Sequence, residues 1–150
     1  MSEIAKSPVR TKRWTRLEYE RLIDLGAFAP DERLELLGGQ LVVRERQGRP
    51  HATGIRLVAR ALRAVFGPDW NIEAQLPVAL DEESEPEPDI AVVTGGPRDY
   101  IVSHPSRLEL VVEVALASLA LDRGEKASLY ADFPVVTPVG VALWAIDGCR

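Results

Sequence analysis

The chain has 150 residues and a mean hydropathy of −0.05, which predict one domain with its own core rather than two domains. Its formal net charge of −5 argues against bulk electrostatic binding of nucleic acid, although an acidic protein can still bind it locally. The single cysteine, Cys149, excludes an intramolecular disulfide and a cysteine-rich zinc site, and the sequence shows no signal-peptide pattern and no membrane-spanning run, so we expect a cytoplasmic protein.

The N-terminal part combines a polar segment with a helical pattern. Residues 1–13 carry a proline and several charges, and we predict a flexible arm there, followed by a single domain over residues 14–150. Thr15 and Glu18 have the spacing of a capping box, and the apolar residues that follow recur on one side of a helix. Gly26 is a typical helix terminator, so a helix is predicted between Thr15 and Gly26.

A hairpin and a long helix are predicted next. Gly38 and Gly39 separate two short apolar runs, which is a hairpin signal and places Glu35 in a strand or at a helix–strand corner. Apolar residues recur at helical spacing from His51 to Phe66, which predicts an amphipathic helix. Arginines in this region form either a solvated helix face or a set of phosphate contacts. They are Arg44, Arg46, Arg49, Arg56, Arg60 and Arg63.

Short β-branched runs dominate the second half of the chain. Residues 71–80 are strand-like, whereas the acidic, proline-punctuated segment 81–89 predicts a loop. The runs 90–93 and 108–114 suit central strands that are buried on both faces.

A helix that begins near Asp122 and a last strand over 139–147 complete the pattern. The order of elements predicts an α/β or α+β fold in which helices flank a mixed β-sheet.

Two carboxylates border the β-branched runs. Asp89 follows a proline at the predicted rim of the sheet, and Glu113 lies near the end of the second run. If the two strands are neighbours, a ladder spacing of about 5 Å would let both carboxylates reach one cation, and Mg²⁺, with Mn²⁺ as a substitute, suits such ligands. The alternative is that Asp89 is a turn residue and Glu113 an exposed edge residue.

Lys126 is the candidate cation beside these carboxylates. The valines around Glu113 imply burial, where an unpaired carboxylate is costly, so Glu113 needs a partner. An ammonium group at Lys126 could orient an attacking water, although the same segment also suits an ordinary charged helix start. His51, just before the long helix, is most simply a cap or a polar surface contact, and His104 lies in a predicted loop. Neither has a second histidine at helical spacing, so a zinc site is not expected.

Three segments resemble one known family: RLELLGGQLVV (33–43), EPEPDIAVV (85–93) and LELVVEVALASLALDRGEKASLYA (108–131). In order, they carry the elements E-L-x-x-G, P-D, V-E-V and D-R-G-E-K. Together with the preceding helix and His51, they resemble the Uma-type family of restriction endonuclease-like proteins, which is abundant in bacteria, over roughly residues 13–131.

The resemblance implies the PD-(D/E)XK nuclease fold and a magnesium-dependent DNA endonuclease. By motif matching, Asp89 and Glu113 would be the metal-binding catalytic acids, Lys126 the lysine displaced onto the following helix, and Glu35 a supporting glutamate. The resemblance also places His51 near the active face. DNA is the implied partner, and no membrane or small organic cofactor is expected.

The sequence also departs from the family pattern. After Glu113 an apolar stretch replaces the usual Ser-Pro-Ser loop, and the chain ends at Arg150, where relatives add further strands. A homodimer would cover the sheet edge that such shortening exposes. A catalytically weak or inactive interaction module with the nuclease fold is therefore the alternative. A nucleotide-binding protein is not favoured, because no glycine-rich loop joins a strand to a helix.

Overall fold

Two helices, a hairpin and a four-stranded sheet make up the part of the chain that the structure, a computed structural model, describes: residues 10–44, 46–116 and 140–146. A short 3₁₀ helix covers Pro97–Tyr100. The other elements are α1 (Arg16–Asp24), β1 (Leu34–Leu37), β2 (Gln40–Val43), α2 (Arg49–Phe66), β3 (Trp70–Ala74), β4 (Ile90–Thr94), β5 (Leu110–Leu116) and β6 (Gly140–Ile146). Neither helix in these ranges combines the length and apolar character that a bilayer crossing needs.

Helix α1 begins with the predicted capping box. The Thr15 hydroxyl accepts a hydrogen bond from the Glu18 backbone N–H at 3.3 Å, and the Thr15 N–H donates to the Glu18 carboxylate at 2.9 Å. These bonds satisfy backbone donors that a helix start otherwise leaves without partners. After Asp24 the chain turns at Gly26, whose φ of +65° lies in the left-handed region that favours glycine.

Strands β1 and β2 form the predicted antiparallel hairpin. Leu37 pairs with Gln40, so the turn contains only Gly38 and Gly39. Their φ angles are +52° and +78°, and two consecutive positive φ angles are the geometry of a type I′ turn. The Gly-Gly dipeptide therefore sets the register that places Glu35 on β1.

Helix α2 confirms the predicted amphipathic helix and starts two residues earlier. Gly48 caps it in an extended conformation, and Pro50 lies in its first turn, where a missing N–H costs nothing. The apolar side of α2 packs on one face of the four-stranded sheet. The buried residues of this layer are Ile55, Ala59, Ile72, Ile90, Val92, Val112 and Val114.

The larger sheet has the strand order β3-β4-β5-β6. Strands β3, β4 and β5 pair antiparallel in turn, whereas β5 and β6 are parallel, so the sheet is mixed. The two predicted central strands, β4 and β5, lie next to each other in its middle. The face opposite α2 is covered by a second apolar cluster: Val78, Leu80, Ala91, Val93, Leu108 and Val111. The predicted α+β class with a mixed sheet is confirmed.

The strand predicted over 71–80 is shorter than expected. It ends at Ala74 because Gln75 adopts φ +55°, and the Gln75 N–H donates to the carbonyl oxygens of Pro88 and Asp89 at 3.1 and 3.2 Å. Val78 is still fully buried. The local composition correctly predicted a strand up to Ala74. It did not predict that the backbone turns at Gln75 to hydrogen-bond the residues before β4.

The acidic segment 81–89 forms no regular strand, as predicted, but much of it is buried rather than solvated. Glu85 is 2% exposed and forms an antiparallel bridge with Leu36, whose carbonyl accepts its N–H at 2.8 Å. The prolines keep this segment extended, so it lies against β1 as an additional edge. The predicted helix after Asp122, with Lys126, lies outside the described residues.

Candidate functional site

The register of β4 and β5 brings two carboxylates together. Ala91 pairs with Val111 and Ile90 with Val112, so continuing the antiparallel register by one residue places Asp89 opposite Glu113. Side chains at opposite positions lie on the same face, with Cβ atoms about 4.5 to 5.5 Å apart. Asp89 is 1% exposed and Glu113 is 3% exposed. Both residues are therefore buried, and Asp89 lies directly before β4, at the end of the strand.

Four donors surround the Asp89 carboxylate. One oxygen, Oδ2, accepts the backbone N–H of Val114 at 2.7 Å. The other, Oδ1, accepts from Gln47 Nε2 at 3.0 Å, from Arg44 Nη2 at 3.4 Å, and from His51, whose Nε2 lies 3.1 Å away. Burial alone would raise the pKa of Asp89, but the bonds from Val114 and His51 outweigh it and lower this pKa below its usual value. Asp89 is therefore a fixed, ionised carboxylate.

The start of α2 and the end of β3 hold these donors in place. His51 lies in the first turn of α2 and is 3% exposed, so it is neither the cap nor the polar surface contact that its sequence position most simply suggested. The side-chain amide nitrogen of Gln75 donates a hydrogen bond to the side-chain oxygen of Gln47. The side-chain amide nitrogen of Gln47 in turn donates to the Asp89 carboxylate. A non-glycine residue with positive φ, such as Gln75, is uncommon and is often kept at functional sites.

Glu35 lies on β1, next to the segment that ends at Asp89. It is 2% exposed, and its Oε2 accepts the backbone N–H of Glu87 at 3.0 Å. The Glu87 side chain accepts from Arg44 Nη1 at 2.8 Å. Glu35 thus fixes the backbone two residues before Asp89, and Arg44 bridges the carboxylates of Glu87 and Asp89.

Sequence reasoning did not single out Gln47, Gln75 or Glu87, and it treated Arg44 only as one of a group of arginines. Arg44 is 9% exposed, unlike the arginines of α2, because its guanidinium forms ion pairs with two carboxylates. Arg44 follows β2 directly, and its partners, Glu87 and Asp89, lie 43 and 45 residues further along the chain. The identity of these partners depends on tertiary contacts that no local pattern contains.

The metal site expected from the sequence would use Asp89 and Glu113 as its ligands. Mg²⁺ commonly binds through one or two carboxylates and keeps several waters for a substrate phosphate. Within the described residues, no group of three or more His, Cys, Asp or Glu side chains is arranged to hold a metal. Lys126 belongs to the part of the chain that is not described, so its place relative to this pair stays a prediction.

Another buried carboxylate, that of Glu85, lies within segment 81–89. Burial raises the pKa of Glu85 to about 8, with further contributions from the carboxylates of Glu20 and Glu87 and a smaller opposing effect of Arg16. His104 lies in a loop, as predicted, and is exposed. Its Nε2 lies 3.8 Å from Oε1 of Glu85. Glu85 is thus a proton-binding group separate from Asp89.

Two comparisons with known proteins find matches to this chain. Residues 17–136 match the Uma2 family, which is described as "Putative restriction endonuclease". The fold is similar to the crystal structure of a putative nuclease belonging to DUF820 from Anabaena variabilis ATCC 29413, with a TM-score of 0.61 and 12% sequence identity, over 83% of this chain and 73% of that chain. At that identity the likeness concerns the fold alone. Among curated proteins, none matches this sequence.

Proposed function

The chain belongs to the Uma2 family of restriction endonuclease-like proteins, and from this premise we propose that it is a metal-dependent DNA endonuclease of the PD-(D/E)XK type. The observation that carries the proposal is the burial of Asp89, which directly precedes β4, and of Glu113 on the adjacent strand β5. Two acidic side chains at this position, one of them held ionised by four donors, are suited to a divalent cation rather than to a hydrophobic core.

Asp89 and Glu113 would hold Mg²⁺, or Mn²⁺ as its substitute. When bound, the cation lowers the pKa of a coordinated water and offsets charge on the scissile phosphate. The protein's own contribution is orientation: the Val114 N–H, Gln47 and His51 fix the Asp89 carboxylate by hydrogen bonds. Such supporting bonds to a metal ligand raise affinity because the ligand does not have to be ordered on binding.

Two further residues complete the proposed centre. Lys126 is assigned the role of orienting the attacking water, on the basis of its position in the D-R-G-E-K element. Glu35 is assigned a supporting role, because its bond to the Glu87 N–H fixes the segment that delivers Asp89 to the sheet. Neither residue needs to touch the metal for these roles.

Plasmid nicking tests the proposal. Supercoiled DNA with Mg²⁺ should be nicked by the wild type, whereas Asp89→Asn and Glu113→Gln should reduce the rate by at least about 100-fold, because each removes a charge that the cation needs. Asp31→Asn changes the same functional group at an exposed position and should leave the rate unchanged. Equal nicking by the wild type and both site variants would refute the proposed mechanism.

A catalytically weak interaction module is the second candidate. It is favoured by the number of protein donors on Asp89 Oδ1, since Arg44, Gln47 and His51 all approach this one oxygen. Calorimetric titration with Mn²⁺ separates the two: micromolar binding that is lost in Glu113→Gln supports the nuclease, and the absence of binding supports the module.

A homodimer is the proposed assembly, because two symmetry-related centres would serve the two strands of a duplex. Light scattering after size exclusion should then give about 33 kDa, twice the 16.5 kDa of one chain. A mass of one chain at micromolar concentration would refute the dimer without affecting the metal site.

A further inference from the structure

Helix α2 carries a stripe of exposed arginines on the side that faces away from the sheet. At 100° per residue, these positions fall within an arc of about 60°, so their side chains form one row along the helix. The buried residues of the helix, including Ile55 and Ala59, lie outside this arc. The arginine stripe consists of Arg49, Arg56, Arg60 and Arg63, all of which are exposed.

The charge of the arginine stripe is not compensated by neighbouring carboxylates. Helix α2 contains no aspartate or glutamate, and within the described residues none of the four arginines forms an ion pair. Arg56 and Arg60 are four residues apart, a spacing at which like charges destabilise a helix. A row of repelling cations in a protein with a net charge of −5 points to an anionic partner.

We propose that the arginine stripe binds the phosphate backbone of duplex DNA and guides it to the Asp89–Glu113 pair. The choice of DNA rests on the proposed function. The stripe starts in the turn of α2 from which His51 hydrogen-bonds Asp89, so it leads directly away from the site. Fourteen residues at 1.5 Å per residue span about 21 Å, or roughly six base pairs of B-DNA. Guanidinium groups suit such contacts because they bind phosphate oxygens in a bidentate manner.

A membrane surface is a poorer fit for the same row of charge. Basic amphipathic helices that bind lipid insert their apolar face between the acyl chains. The apolar side of α2 is already packed on the sheet, where Ile55 and Ala59 belong to the main core. The exposed surface of α2 carries the four arginines of the stripe beside Leu57 and Val65, and the arginines match a partner that presents phosphates.

Fluorescence anisotropy with a short labelled duplex in EDTA measures binding without cleavage. The triple variant Arg56→Gln/Arg60→Gln/Arg63→Gln should bind at least about 10-fold more weakly, and the slope of log K against log salt should fall by about 2 to 3, roughly one per lost phosphate contact. Two duplexes of different sequence should show the same loss, because phosphate contacts carry no base information.

A charge-matched control separates the arginine stripe from bulk electrostatics. The triple variant Arg21→Gln/Arg98→Gln/Arg107→Gln removes the same charge from exposed positions on other elements and should bind within about threefold of the wild type. Equal weakening by both triples would overturn the proposal. So would a stripe triple that binds duplex like the wild type, or wild-type protein that prefers phosphatidylserine vesicles to the duplex. Circular dichroism confirms that each variant is folded.

The outcomes also distinguish this inference from the proposed function. The endonuclease would be refuted, and the role of the arginine stripe kept, by two results together. The wild type binds the duplex more tightly than the stripe triple does, but it does not nick DNA in Mg²⁺ or Mn²⁺. Conversely, the stripe triple could bind and nick DNA like the wild type while Asp89→Asn is inactive. That result would refute the DNA-binding role of the arginine stripe and support the endonuclease.

Discussion

Glu85 makes the stability of this protein depend on pH in a direction opposite to that of most carboxylates. It is 2% exposed, and its Oε2 has no hydrogen-bond partner within the described residues. Because burial and the neighbouring Glu20 raise the pKa of Glu85 to about 8, the folded protein holds a proton at neutral pH that the unfolded chain, with an ordinary pKa of 4.5, releases. Unfolding is therefore favoured as the pH rises.

The size of the effect follows from the two pKa values. The stabilising contribution is fully present below the unfolded pKa of 4.5 and is lost as the pH rises through the folded pKa of about 8. Between about pH 6 and pH 9 the free energy of unfolding should fall by about 2 to 3 kcal/mol, since each pH unit below the folded pKa costs about 1.4 kcal/mol. Glu85→Gln keeps the site neutral at every pH and should remove this loss.

Urea unfolding followed by tryptophan fluorescence at several pH values measures the difference. The stability of Glu85→Gln relative to the wild type should increase by about 2 to 3 kcal/mol between pH 6 and pH 9. Glu82→Gln, which changes an exposed carboxylate nearby, should follow the wild type. A wild type and a Glu85→Gln variant that decline in parallel with pH would refute the buried, protonated Glu85.

Three further predictions concern the site and its supports. His51→Ala should weaken Mn²⁺ binding by about 10- to 100-fold in calorimetry, because it removes a hydrogen bond that orients Asp89. Its thermal stability should differ little from that of His51→Gln. An Mn²⁺ affinity equal to that of the wild type would rule out this role. Arg44→Met should lower the free energy of unfolding by about 3 kcal/mol, since it leaves the buried Asp89 and the half-buried Glu87 without their shared cation. Urea titration beside the exposed Arg107→Met tests this, and equal losses in the two variants would contradict it. Thr15→Ala should cost about 1 kcal/mol through loss of the α1 cap, with Thr15→Ser restoring most of it in the same assay.

Local chemistry was sufficient to predict most helices and strands. The Thr15 capping box, the Gly38-Gly39 turn and the β-branched runs of β4 and β5 each depend on interactions between residues close in sequence, and each was predicted correctly. The exceptions depend on distant contacts. Gln75 ends β3 early because its N–H meets the backbone before β4, and segment 81–89 is buried because the hairpin lies against it.

The candidate site was predictable only in part for the same reason. Asp89 and Glu113 could be proposed as a pair because neighbouring apolar runs commonly become neighbouring strands, and β4 and β5 do pair. Arg44, Gln47 and His51 contact Asp89 across 38 to 45 residues of chain, a separation over which no periodicity or turn signal operates. His51 in particular reaches Asp89 only because α2 packs on the sheet.

A crystal soaked in Mn²⁺ tests the central claim most directly. Anomalous scattering should show one ion within about 2.3 Å of an oxygen of Asp89 and an oxygen of Glu113, which is inner-sphere distance for a divalent cation on carboxylates. An ordered site with both carboxylates visible and no ion between them, at millimolar Mn²⁺, would contradict the assignment of this protein as a metal-dependent nuclease.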